Sequence, residues 1–227
     1  MQSNTLVFAK RGLSLSKFQA GLGLFLAAFG ILVIVALDFL AGSSSAPVFL
    51  LSVSFMSFGL LMFTTPVILL YVYDKNNGVL EYLLSLGWSQ SDVFKQYLKA
   101  ALFLALTLFV GEAGAVLIAG TVVGSLAVFL LDLLMLFLTA FLGFSVVSLV
   151  TMAMMAFSSL QKQRVGANTP LAMVLGVVFI FPTFYLSFLG FIPELIVAIS
   201  LCISAGTLSA VLLLLSSRLI RREKMLP

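Results

Sequence analysis

Histidine is absent from the 227 residues, and cysteine occurs once, at Cys202. Without histidine the chain lacks the commonest general base near neutral pH and the commonest metal ligand. A lone cysteine in an apolar run has no disulfide partner in the chain and serves as a small packing residue. Charge is scarce as well, at 9% of residues, with only eight acids; soluble domains carry about 25%. No Gly-x-x-x-x-Gly-Lys-Ser/Thr phosphate loop occurs, so ATP hydrolysis by that route is excluded. What the chain has instead is apolar surface: 62% of residues, including 22 phenylalanines, against roughly 45–50% in soluble domains. No soluble globule of this size has the interior to hide it, so lipid must solvate the excess. Residues 21–37 and 126–131 show none of the apolar–polar alternation of an outer-membrane barrel. An all-α polytopic membrane protein remains.

A helix crosses a hydrocarbon core of roughly 30 Å with about 20 apolar residues. On that measure 1–227 forms a single transmembrane domain with six spans, near 20–41, 47–73, 98–121, 125–157, 169–187 and 194–217. Residues 1–19 mix Leu6, Val7, Phe8, Leu13, Leu15 and Phe18 with Lys10, Arg11 and Lys17, the pattern of a helix lying in the interface. The first apolar stretch exceeds the 7–15 residues usual in a secretory signal, so an uncleaved helix is expected. Pro47 suits the first turn of the second span. The break Val122-Val123-Gly124 joins antiparallel neighbours. The fourth span, at roughly 1.5 Å per residue, is longer than the hydrocarbon is thick, and is expected to tilt or project. Pro182 kinks the fifth span or ends it early, and in the second case 182–193 forms a short re-entrant piece.

The basic residues orient these spans. All twelve fall in four groups: Lys10, Arg11 and Lys17; Lys75, Lys95 and Lys99; Lys162 and Arg164; Arg218, Arg221, Arg222 and Lys224. Six spans put all four groups on one face and leave the connections near 42–46, 122–124 and 188–193 without any. Cytoplasmic loops hold the excess of Lys and Arg. That face is therefore cytoplasmic, as are both termini, in a multi-pass protein of the cell membrane. The net charge of +4 needs no nucleic-acid partner; anionic lipid is its natural neighbour.

The one long polar connection, 74–97, is the most informative part of the chain. Leu80, Leu83 and Leu84 follow i, i+3, i+4 spacing and form one apolar stripe. Glu81 sits in the first turn of that helix, where a carboxylate suits the dipole. Gly87 ends it, Trp88 follows, and Ser89 with Asp92 three residues on makes a capping-box-like start for the next helix. Val93, Phe94 and Tyr97 lead that helix into the third span. The expected result is a stiff cytoplasmic knuckle wired to two membrane helices.

This segment resembles the cytoplasmic loop of ABC-2 type transporter permeases, which reads Gly-Thr-Leu-Glu-x-Leu-Leu, a short gap often containing Pro, then a polar helix start and a Lys. Gly78, Leu80, Glu81, Leu83 and Leu84 match. Val79 replaces the Thr, Gly87 stands near the usual Pro, and an Asn replaces the acid often found before the Gly. The sharp match covers about 25 residues. The order of elbow helix, six spans and one long loop covers the whole chain more loosely. The resemblance implies that Gly78, Leu80, Glu81, Leu83, Leu84, Gly87 and Trp88 form the coupling helix that docks on a separate ABC ATPase subunit. It implies ATP and Mg on that partner and none in this chain, and two permease copies, or this chain with a paralogue, around one pathway. On this reading the chain is not itself an enzyme.

Two carboxylates lie deep in the membrane. Glu112 is about 13 residues above Lys99, or roughly 20 Å, and Asp132 about 8 residues below Gly124, or roughly 12 Å. No Lys or Arg lies at that depth, and an unpaired charge in hydrocarbon costs several kcal/mol. They act as neutral interhelical glue, face a wet cavity on the substrate path, or bind a cation. Gly111, Gly114, Gly120 and Gly124 are expected to allow close helix contact, and Trp88 and Tyr97 suit the membrane interface. Two further readings stay open beside the permease: a proton- or cation-coupled secondary transporter using Glu112 or Asp132, whose usual internal repeat is not visible, and a non-transporting membrane scaffold linked to an ATPase.

Overall fold

In the computed structural model the described residues are 4–41 and 46–123, with helical positions also at Ile203 and Thr207. The expected spans at 125–157, 169–187 and 194–217, the re-entrant piece at 182–193, and Asp132, Gly124 and Cys202 lie outside the described residues. Among the described residues every regular element is a helix: α1 (Asn4–Leu15), α2 (Lys17–Ala41), α3 (Ala46–Asn76), α4 (Val79–Ser85) and α5 (Gln90–Val123). Within these, Phe58–Asn76 and Gln90–Ala115 are long and apolar enough to cross a membrane, and α1 with α2 qualifies as a bent pair. The helical class agrees with the hydropathy reading, since a bilayer core would leave a backbone no alternative to internal hydrogen bonding.

The corner between α1 and α2 bends the chain by 95° at Ser16. Backbone bonds run up to it on both sides: Ser16 N–H donates to the Gly12 carbonyl at 3.2 Å, and the Ser16 carbonyl accepts from Ala20 N–H at 3.2 Å. Helix α1 is two-faced. Phe8 and Ala9 are buried, whereas Leu6, Val7 and Leu15 are exposed, and Phe18, just past the corner, is 82% exposed. Lys10 and Lys17 are exposed beside them. Cations alternating with apolar side chains on the open face suit a headgroup layer.

Helices α2 and α3 meet backbone to backbone. A Cβ on Gly23 would lie 2.6 Å from Phe63 N and 2.8 Å from the Gly59 carbonyl oxygen; one on Gly59 would lie 2.8 Å from Ala27 N. Only a residue without a side chain leaves room for the facing backbone at these points, the small-residue packing that lets membrane helices approach. At Gly111 and Gly114 no described atom lies within 4 Å of a Cβ position. Gly111 and Gly114, expected to make close contact on α5, therefore do not do so within the described residues. Those that do are Gly23, Ala27 and Gly59, on the other helix pair. The main core joins α1, α2, α3, α4 and α5 through residues such as Leu60, Val67, Leu70, Leu80, Val93, Tyr97, Ala101 and Leu104. Pro66 lies within α3, where it removes one backbone donor. Helix α1 rests there: a Cβ on Gly12 would be 3.2 Å from the Pro66 carbonyl.

Candidate functional site: the α4 knuckle and its anchor

The knuckle begins where α3 stops. Asn77 N–H donates to the Tyr73 carbonyl at 3.0 Å, the Asn77 side-chain amide donates to the same carbonyl at 2.9 Å, and Gly78 turns into the left-handed region at φ 72°. A side chain there costs roughly 1–2 kcal/mol, which is why glycine holds the position. Val79–Ser85 then makes two turns of helix with Glu81 in the first. The end is a Schellman motif: Trp88 N–H donates to the Leu83 carbonyl at 3.2 Å and Gly87 N–H to the Leu84 carbonyl at 3.1 Å, with Gly87 at φ 87°. This is the arrangement that satisfies the last carbonyls of a helix. Leu83 and Trp88, at the two ends of that bond, both pack partly buried against the core.

Helix α5 starts with a cap one residue later. Asp92 N–H donates to Ser89 Oγ at 3.1 Å, and the Ser89 hydroxyl donates to Asp92 Oδ2 at 2.6 Å. The first bond is the expected N-cap. The second departs from a capping box, because the carboxylate meets the hydroxyl and not the Ser89 backbone N–H.

The apolar stripe of the knuckle points inward. Leu80 is 1% exposed, and Leu83 and Leu84 pack half-buried against the same core. These three leucines therefore hold α4 onto its own helices. The surface open to a partner is the opposite side: Glu81, Tyr82, Ser85 and Leu86 are exposed, Tyr82 at 63% and Leu86 at 58%. Gly87 is exposed and Trp88 half-buried.

Beneath the knuckle lies an arrangement that the linear pattern does not reveal. Asp74, near the end of α3, is completely buried. Arg11 of α1 donates to its Oδ1 at 2.9 Å, and the Tyr97 hydroxyl of α5 donates to its Oδ2 at 2.6 Å. One carboxylate thus binds donors from two other helices. The Tyr97 ring is itself packed edge-on by Phe8 at 4.8 Å and by Tyr71 at 5.3 Å. Tyr97, noted above as a residue suited to the membrane interface, is 1% exposed and belongs to the core. The partners are 63 and 23 residues from Asp74, so no local spacing reports them. The only available hint was Asp74 itself, a short acid at the end of an apolar helix.

Glu112 is buried on α5 at 2% exposure, and its Oε1 finds no hydrogen-bond partner among the described residues. Met56 lies in the same stretch of the bundle with Ile31, Phe109 and Ala113 packed on it. The relation of Glu112 to Asp132 falls outside the described residues. Among the described residues no group of three His, Cys, Asp or Glu could hold a metal ion. Comparison with family models, with curated proteins and with solved structures gives no match to this chain.

Proposed function

We propose that this chain is the membrane-spanning subunit of an ATP-driven ABC exporter, with six spans and both termini in the cytoplasm. Two copies, or this chain and a paralogue, surround one pathway. A separate ATPase subunit, which carries ATP and Mg, works it through α4. One observation carries the reading: α4 is a short helix set between two left-handed glycines at the ends of two long apolar helices. Its leucines secure it to the bundle, and Glu81, Tyr82 and Leu86 remain outside for a partner groove.

The inward stripe decides which variants test the idea. Leu80, Leu83 and Leu84 report packing, whereas Glu81 and Tyr82 report docking. When the tagged chain is purified from its native membranes, a polypeptide with a phosphate-loop motif and ATPase activity is expected in stoichiometric amount. The double variant Glu81→Arg, Tyr82→Ala is expected to lower its recovery at least tenfold, with helix content and thermal midpoint unchanged. Undiminished recovery rejects the docking role of this face.

Buried Glu112, with one oxygen unbonded among the described residues, favours a second reading: a proton- or cation-coupled carrier. Ionisable residues inside membranes often mark relays. The two readings diverge for the purified chain alone in vesicles loaded with a pH-sensitive dye. The exporter subunit is expected to be silent, and Glu112→Gln to change nothing. Proton flux by the chain alone that Glu112→Gln abolishes transfers the assignment to the carrier.

A further inference from the structure

We propose that Asp74 is a pin that makes the α1–α2 corner move as one body with the base of the knuckle. The covalent chain ties α4 only to α3 and α5. Helix α1 is remote in sequence, yet its Arg11 reaches Asp74 at 2.9 Å. Asp74 lies four residues before Gly78, and Tyr97 lies in the second turn of α5, so both are close beyond the two glycine joints that bound α4. Beyond those joints the ends of α1, α3 and α5 share one fully buried carboxylate, and their relative shift requires breaking a charge-assisted bond, which is shorter and about twice as strong as a neutral one. Two apolar contacts reinforce the pin, the Phe8–Tyr97 edge at 4.8 Å and the seat of Gly12 on Pro66. Past the 95° corner, α2 is clamped to α3 at Gly23 and Gly59. The corner is therefore held at both ends, and a push on the knuckle reaches the α1–α2 pair as well as α3 and α5. The source of that push is the ATPase of the proposed function; the pin itself is a property of this chain alone.

The test uses the full chain in lipid nanodiscs on a Cys202→Ser background. Spin labels at Lys10→Cys and Ser85→Cys, both exposed positions, report the α1–α4 distance; a second pair at Tyr73→Cys and Lys95→Cys reports α3–α5. A narrow α1–α4 distribution is expected without further change. Arg11→Gln is expected to at least double its width and Arg11→Lys to restore most of it, while the α3–α5 pair stays narrow in both; Tyr97→Phe, which removes the α5–α3 bond, is expected to broaden the α3–α5 pair instead. An unchanged α1–α4 width in Arg11→Gln overturns the pin, because packing alone then holds the corner. Equal broadening of both label pairs also overturns it, since the effect is then general loosening. Neither measurement involves the ATPase, so failure of the docking reading leaves this result standing, and the reverse holds as well.

Discussion

Replacing Gly59 by alanine is expected to destabilise the folded chain by about 1–3 kcal/mol, the usual cost of forcing an extra carbon into a packed interface. The atoms in its way are backbone: the new Cβ would lie 2.8 Å from Ala27 N and 2.9 Å from the Gly23 carbonyl oxygen. No rotamer change relieves that contact, so α2 and α3 must separate along their whole crossing. Gly23→Ala meets Phe63 N at 2.6 Å and is expected to cost as much or more. Gly111→Ala is the matched control. It lies within α5 with no described atom within 4 Å of its Cβ, and alanine is favoured over glycine inside a helix by up to about 1 kcal/mol. Thermal unfolding in detergent should therefore show lowered midpoints for the first two variants and an equal or higher one for the third. A Gly59→Ala midpoint equal to that of the unsubstituted chain refutes the close crossing.

The Arg11–Asp74 pair should respond asymmetrically. Removing one member of a buried ion pair typically costs 3–5 kcal/mol, because the other charge is left without compensation. Asp74 is fully enclosed, whereas the Arg11 side chain is 44% exposed. Arg11→Met strands the enclosed partner, with only the Tyr97 hydroxyl still donating to it. Its cost is expected near the low end of that range, about 3 kcal/mol, since the site opens to water on the arginine side. Asp74→Asn frees an arginine that can turn to solvent, and keeps an acceptor for Tyr97. It should cost about 1.5–2 kcal/mol, the low end of the range for a lost hydrogen bond to a charged group. The double variant is expected to be more stable than Arg11→Met alone, because the stranded charge is gone. A double-mutant cycle measured by chemical unfolding checks this ordering. If Arg11→Met costs less than 1 kcal/mol, the pair behaves like an exposed surface bridge and the pin has no energetic basis.

Much of the described helical frame was legible in the residues because the constraints acting on it are local. Helices α2, α3 and α5 overlap the expected spans at 20–41, 47–73 and 98–121, and α3 and α5 run beyond them through the polar residues Asp74–Asn76 and Gln90–Asp92. The knuckle was legible too. Gly78 and Gly87 occupy the two left-handed positions, Ser89 caps α5, and Leu80, Leu83 and Leu84 share a face, each written in a window of a few residues. The direction of that face was not. An apolar stripe looks the same whether it meets a foreign groove or its own bundle, and only the placement of α3 and α5 turns Leu80 inward. The same limit applied to the glycines. Gly111 and Gly114 carried the small-residue pattern as clearly as Gly23 and Gly59, but which pair meets a neighbour depends on how whole helices cross.

Composition and short-range pattern by themselves carried the helical class of the described chain and the apolar runs that make two of its helices fit for a membrane. These follow from backbone hydrogen bonding and lipid solvation, which act residue by residue along the chain. Tertiary structure alone decided that Asp74 gathers Arg11 and Tyr97 from helices 63 and 23 residues away, that α4 shows Glu81 and Tyr82 to the outside, and that Gly59 is where two backbones touch. Those outcomes depend on the relative placement of helices, which is set by long-range packing and leaves no periodic trace in the order of the residues.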